Sequence, residues 1–257
     1  MSLHDWLYSV YPANAAINGR WGPLHITVIA VCAVLMIGIA CLRRKDETIR
    51  TRVIQFLAIL IMILELARRA INLSKGYSGV LELARILLPR PWCAISCWLT
   101  IVAAFSNKKI LYSFSAMSAL LNALVFFAYP NVGFNHKVIL FENFYSITTH
   151  ALLLISSVSM ITLNLTDFRY EKKQLQAMGI LLLGVYLYAA LEILLGIEPD
   201  PLFFMPGSEV QAFLGVKYPL FLIIYTGFLA FYFNSFFLVQ KHLTMRYAKK
   251  HSVPTAL

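Results

Sequence analysis

Charge is what this chain has least of. Of its 257 residues 13% are Asp, Glu, Lys or Arg, against 60% hydrophobic, and the mean hydropathy is +0.71. A composition this poor in charge excludes an ordinary soluble domain, and no stretch is left over to form one. No internal repeat and no low-complexity linker interrupts the chain. Gly-rich phosphate loops are absent as well, so no nucleotide or other diffusible cofactor is expected. Residues Met1 to Gly19 carry no Lys or Arg ahead of the first apolar run, so they do not read as a signal peptide, and that run is expected to stay as a helix. Cysteine is scarce. Cys32 and Cys41 fall in the first apolar run and Cys93 and Cys97 in the third, inside predicted helices, which speaks against disulfides.

What is present is a series of apolar runs near the length of about 20 residues that crosses a bilayer. They predict an all-α fold, a polytopic seven-helix transmembrane bundle, with spans at roughly 22–42, 52–72, 84–105, 109–129, 138–163, 174–196 and 218–240. The expected organisation is a single transmembrane domain over 1–240 and a short cytoplasmic tail over 241–257, where Pro254 and small polar residues favour disorder.

The formal charge of +10 would suggest nucleic acid in a soluble protein. Here the placement of the cations reports orientation instead, and no nucleic-acid partner is expected. Arg43, Arg44, Lys45, Arg50 and Arg52 lie between the first two spans, Lys108 and Lys109 between the third and fourth, Arg169, Lys172 and Lys173 between the fifth and sixth, and Lys241, Arg246, Lys249 and Lys250 after the seventh. The alternate loops set Lys75, Lys137 and Lys217 against Glu82, Glu142, Glu198, Asp200 and Glu209, and the N-terminal segment adds Arg20 and Asp5. The N-terminus is therefore expected outside and the C-terminus in the cytoplasm, in a multi-pass protein of the cell membrane.

Charges inside the spans cost about 2.5 to 3.5 kcal/mol each near a bilayer centre, so they mark function or pairing. The second span ends Leu64-Glu65-Leu66-Ala67-Arg68-Arg69-Ala70, and Glu65, too short to snorkel, is expected to face the bundle with a partner. At the third span Pro89 and Pro91 remove backbone donors, so carbonyls one turn earlier need side chains or water, and a polar recess forms at the helix start. Arg85 and Arg90 lie at that mouth, with Cys93 and Cys97 one turn apart beyond it. The fifth span opens with Glu142, Asn143, Tyr145, Ser146, Thr148, Thr149 and His150. At about 1.5 Å per residue, Glu65 lies about 10 Å from the outer end of its span, Cys93 about 13 Å and His150 about 18 Å, and Glu192 returns to the same layer. His25 reads as a solvated or backbone-bonded histidine near the outer surface.

This crowding of the outer half predicts a cavity open to the outer leaflet, where Arg68, Arg69, Arg85 and Arg90, with Glu65, bind a phosphate or carboxylate headgroup through bidentate guanidinium contacts. Interhelical ion pairs that merely hold the bundle are the competing reading. Cys93 and His150 also form the minimum for thiol catalysis, against the reading of Cys93 and Cys97 as small buried hydrophobes. Cys93, Cys97 and His150 make a poor metal site, with no flanking second motif, and no metal is expected.

The order of features resembles the YwaF family of bacterial integral membrane proteins, related to transmembrane protein 164 and more remotely to the androgen-induced type of lipid hydrolase. The resemblance rests on Glu65 with Arg69, Leu88-Pro89 followed by Cys93, the Trp98 to Asn107 segment, Pro130, His150 and Pro219, and it covers about Trp21 to Phe237. One departure is Pro91, which stands where that family's signature carries a histidine, so no role for that histidine is carried over. The resemblance implies a lipid acyltransferase or transacylase, with Cys93 as acyl-accepting nucleophile and His150 as general base. Its partners would be membrane lipids of the outer leaflet, a phospholipid acyl donor and a lyso-lipid or other amphiphilic acceptor; with water as acceptor it would be a lipid hydrolase. Two other readings stand beside it. One is a transporter or substrate-binding membrane subunit for a small anionic or amphiphilic solute, and the other is a structural partner in a membrane complex.

Overall fold

The computed structural model describes residues 3–8, 21–128, 134 and 139–251. Arg20, Pro130, Lys137 and Pro254 lie outside the described residues. Among the described residues every regular element is helical: α1 (Leu3–Tyr8), α2 (Pro23–Ala40) with a 3-10 turn over Cys41–Arg44, α3 (Glu47–Ser74), α4 (Val80–Leu87), α5 (Trp92–Ser106), α6 (Lys109–Ala128), α7 (Phe141–Thr162), α8 (Lys172–Leu194), α9 (Glu209–Leu214) and α10 (Leu220–His251). Among the described residues five stretches are long and apolar enough to cross a membrane, namely Pro23–Arg44, Lys109–Ala128, Phe141–Thr162, Lys172–Leu194 and Leu220–His242; α4 with α5 makes a sixth, bent by 56°.

Local sequence sets the ends. Pro23 opens α2 in its first turn, where a missing N–H costs nothing. Glu47 follows the Asp46 cap of α3, placing a carboxylate at the positive helix end. Gly76, at φ +88°, closes α3 by donating its N–H to the Leu73 carbonyl at 3.0 Å. The expected third span differs from a single helix. α4 ends at Leu87, and α5 restarts at Trp92 after a break that holds both prolines. Arg85 therefore sits on α4, Arg90 in the break and Cys93 in the first turn of α5.

The last helix also differs from expectation, running on through His251 past Lys241. Residues 241–251 contain neither Gly nor Pro and are rich in helix formers, so nothing local stops the helix where the apolar run does.

The chain divides into two compact units, Met1–Thr166 with Gly196–Glu198, and Asp167–Leu195 with Pro199–Leu257. In the first, α7 is the centre, packing against α1, α2, α3, α5 and α6. α5 and α6 meet along a seam of small residues, with Ala103, Ala104, Ala116, Ala119 and Ala123 fully buried. A hydroxyl ladder runs along it. Ser96 and Ser118 share a hydrogen bond of 2.6 Å, Asn122 donates to the Ser96 hydroxyl at 2.6 Å and the Ser118 carbonyl at 2.9 Å, and Thr100 bonds Ser115 at 3.0 Å. Small side chains let the backbones approach, and the hydroxyls then replace the hydrogen bonds that lipid cannot offer. Asn122→Ala is expected to cost about 1 kcal/mol, measured by SDS-driven unfolding in mixed micelles. An unchanged midpoint would mean that the alanines alone hold the seam.

In the second unit Phe204 lies between Tyr186, at 5.6 Å, and Tyr225, edge-on at 4.8 Å, while the Tyr225 hydroxyl donates to the Leu202 carbonyl at 3.1 Å. Ile180, Leu183, Leu187 and Leu191 form an exposed apolar stripe at helical spacing along α8, as expected of a face turned to lipid.

Candidate functional site

The two prolines decide which backbone groups are orphaned. A helix carbonyl accepts from the N–H four residues on, and neither Pro89 nor Pro91 has one, so the carbonyls of Arg85 and Leu87 lose their partners. Arginines fill both places. Arg90 Nε donates to the Arg85 carbonyl at 2.7 Å, and Arg69 Nε, reaching over from α3, donates to the Leu87 carbonyl at 3.0 Å. The bend in the third span is thus closed by guanidinium groups.

Arg69 leads inward to a buried hub. Its Nη1 donates to the Glu65 carbonyl at 3.0 Å and to the Glu65 carboxylate, with which it forms an ion pair across one helical turn. Glu65 is 0% exposed and Arg69 8%. The second carboxylate oxygen accepts the Tyr145 hydroxyl from α7, and the Cys97 thiol lies against the same carboxylate. The Arg69 guanidinium covers the Trp98 ring at 5.2 Å. Glu65 therefore faces the bundle with partners, as its short side chain requires.

Arg68 occupies the next layer. It stands over the Tyr145 ring at 4.8 Å, with its Nε 3.8 Å from Glu142. Arg85 donates from Nη2 to the Gly196 carbonyl at 2.8 Å and from Nε to the Ile197 carbonyl at 3.2 Å, and Arg90 Nη1 donates to Glu198 at 2.9 Å. Together Arg68, Arg69, Arg85 and Arg90, with Asn72, line a cavity of about 50 Å³. That is room for a few waters or one phosphate-sized anion. These bonds use fewer than the five N–H donors of each guanidinium, so donor capacity remains for an anion in the cavity.

Cys93 is half-buried in the first turn of α5, within electrostatic reach of Arg68 and Glu65. Cys97, one turn on, is fully buried. His150 is half-buried on α7; its Nδ1 bonds the Ser146 carbonyl at 2.7 Å, and its ring stacks on Phe126 at 3.9 Å with 9° between the planes. The bond to a carbonyl requires Nδ1 to carry the proton, which leaves the neutral ring's lone pair on Nε2. The structure thus gathers Arg68, Arg69, Arg85 and Arg90 around one recess, with Glu65 buried behind Arg69 and Cys93 within electrostatic reach of Arg68, and it places His150 on a helix packed against α5, in an aromatic setting.

Of the two settings expected of His25, the solvated one is excluded and the backbone-bonded one fits: it is fully buried against the Phe127 backbone, 4.5 Å from the Phe134 ring, 4.7 Å from Trp21 and 5.9 Å from the Phe127 ring. Glu192 is buried in the second unit. Tyr145, Trp98, Asn72 and Glu198 join the site without having been singled out as binding residues. Tyr145 stood in the polar string of its span, but no spacing shows that its hydroxyl reaches a carboxylate 80 residues earlier. Among the described residues, no group of three or more His, Cys, Asp or Glu side chains is placed to hold a metal ion.

Residues 20–239 match the model of the TMEM164 family. That match bears out the kinship with transmembrane protein 164 and does not extend to the YwaF name. No curated protein and no solved structure gives a match. With its apolar helices, the match makes this an integral membrane protein.

Proposed function

The chain belongs to the TMEM164 family, and from that premise we propose that it is a lipid acyltransferase or transacylase of the cell membrane, working through Cys93 and His150 on outer-leaflet phospholipid. The observation that carries this reading is the position of Cys93: half-buried just past the proline break, within electrostatic reach of Arg68, which itself lines the arginine recess. A phosphate held there leaves the acyl esters to extend past the thiol.

In the first step His150 Nε2 takes the thiol proton and the sulfur attacks the ester carbonyl of the donor. The C–O bond breaks, the lyso-lipid oxygen leaves with the proton that His150 returns, and the acyl group remains on Cys93 as a thioester. In the second, His150 takes the proton of an acceptor hydroxyl, whose oxygen attacks the thioester; the new ester forms and the thiol is restored. Water as acceptor makes the same site a hydrolase. Arg68, Arg85 and Arg90 are the headgroup ligands least bound up in the buried hub, while Arg69 and Glu65 position the recess.

This reading counts seven spans. α3, with 28 residues, is long enough to cross, and its charges fall where Tyr145 and Glu142 meet them. The basic segments at Arg43–Arg52, Lys108–Lys109 and Arg169–Lys173 then face the cytoplasm, with the N-terminus outside.

Intact-mass spectrometry of the purified protein incubated with mixed phospholipids tests it. The expected result is an adduct of fatty-acyl mass that hydroxylamine removes, present in wild type and Cys97→Ser and absent in Cys93→Ser. No adduct under any lipid condition, with cellular function intact in Cys93→Ser and His150→Ala, would overturn it. The second reading, a binding or transport subunit for a small anion or amphiphile, is favoured by the remaining donor capacity of the four arginines, which needs no thiol.

A further inference from the structure

The recess is fastened on one side by a segment far along the chain. Gly196–Glu198 belongs to the first unit, although the helix before it and the chain after it belong to the second. Three bonds tie it down: Arg85 to the carbonyls of Gly196 and Ile197, and Arg90 to the Glu198 carboxylate. Two of these are to neutral carbonyls. The third is an ion pair whose side chains are 31% and 19% exposed, so water and salt weaken it.

Arg90 has a second attachment that does not depend on Glu198. Its Nε donates to the Arg85 carbonyl at 2.7 Å, an acceptor that the missing N–H of Pro89 leaves open. The guanidinium therefore keeps its place when the carboxylate leaves. Glu65 and Glu142 are paired to Arg69 and Arg68, and Glu82, one turn before Arg85, is turned to the Ser78 N–H and hydroxyl, both at 2.6 Å. Of these carboxylates, Glu198 is the one that combines partial exposure with a direct bond to an arginine of the recess fixed independently of it.

We infer that Glu198 is a resident competitor for the anion that the recess takes, so that a phosphate group entering the recess displaces Glu198 from Arg90 and loosens the 196–198 segment. The inference rests on the proposed headgroup role of the arginines. A phosphate engages a guanidinium through two parallel bonds, whereas Glu198 makes one to Arg90, and the arginine is already in position when the exchange occurs. The segment acts as a latch: bonded to Arg85 and Arg90, it neutralises a cation of the recess, and it yields to a stronger anion.

The test is equilibrium binding to the full-length protein in dodecyl maltoside, using inorganic phosphate and dihexanoyl phosphatidic acid as probes, for wild type, Glu198→Gln, Glu82→Gln and Arg90→Gln. Glu198→Gln keeps shape and one acceptor oxygen, and is expected to bind about five- to tenfold more tightly. Glu82→Gln is expected within about twofold of wild type, and Arg90→Gln at least about tenfold weaker. Tightening with both probes names the phosphate group itself as the ligand; tightening with the lipid probe alone names a lipid headgroup. If wild type binds but Glu198→Gln binds no better, or Glu82→Gln tightens as much, the competitor role is overturned while the recess stands. If wild type binds neither probe, the headgroup role of the arginines falls, and the latch with it.

Discussion

Glu65→Ala is expected to lower the unfolding free energy by about 3–5 kcal/mol, seen as a large drop in the SDS midpoint in mixed micelles. The carboxylate is fully buried and accepts from Arg69 and Tyr145. Removing it leaves the Arg69 charge buried without compensation and the Tyr145 hydroxyl without its acceptor, and those penalties, more than a lost attraction, make the effect large. Glu65→Gln is expected to fall between, since an amide oxygen still accepts from Tyr145 while the charge on Arg69 stays unbalanced. The double variant Glu65→Leu with Arg69→Met removes both charges and is expected to recover most of the loss; what remains is the uncapped Leu87 carbonyl and the Tyr145 hydroxyl without its acceptor. A single Glu65→Ala cost below about 1 kcal/mol would show that the pair is solvated and that no buried hub exists.

His150→Ala is expected to slow formation of the acyl adduct about 10²- to 10⁴-fold at saturating lipid, the usual range for loss of a general base. The Ser146 carbonyl holds the proton on Nδ1, and the Phe126 stack holds the ring plane, so the basic nitrogen is prepared before a substrate arrives. Two companions separate chemistry from packing. Added imidazole is expected to restore part of the rate in His150→Ala, which a packing role would not allow. Phe126→Leu leaves the imidazole present but unclamped and is expected to lower the rate about tenfold with the midpoint of unfolding moved much less. A rate for His150→Ala within about threefold of wild type would remove His150 from the mechanism and leave the thiol dependent on Arg68, its charged neighbour.

Both predictions draw on features that were legible to different degrees. The burial of Glu65 follows from cost alone, because a short carboxylate near the middle of a span has nowhere else to go. Its hydroxyl partner did not follow, since α3 and α7 bring Glu65 and Tyr145 together from 80 residues apart. Cys93 and His150 could each be marked as chemically apt, yet whether an imidazole and a thiol meet depends on the rotation of α5 and α7 about their axes, which apolar spans set only loosely. In a helix exposed to lipid on one side and protein on the other, both faces are hydrophobic, so periodicity no longer tells which face is buried. The exposed stripe on α8 and the buried face of α6 both lie on helices apolar enough to cross a membrane, so hydropathy alone does not tell lipid from protein contact.

By itself the sequence determined the apolar helices and which carbonyls the prolines orphan, because both follow from local length, local hydropathy and missing N–H groups. Only the tertiary structure decided what fills the Leu87 vacancy and what pairs with the arginines of the recess: Arg69 reaching Leu87 from 18 residues before, and Glu198 reaching Arg90 from 108 residues after. A buried polar group must find a partner, but the choice among several arginines and carboxylates is made by helix packing, through distances that no spacing along the chain contains.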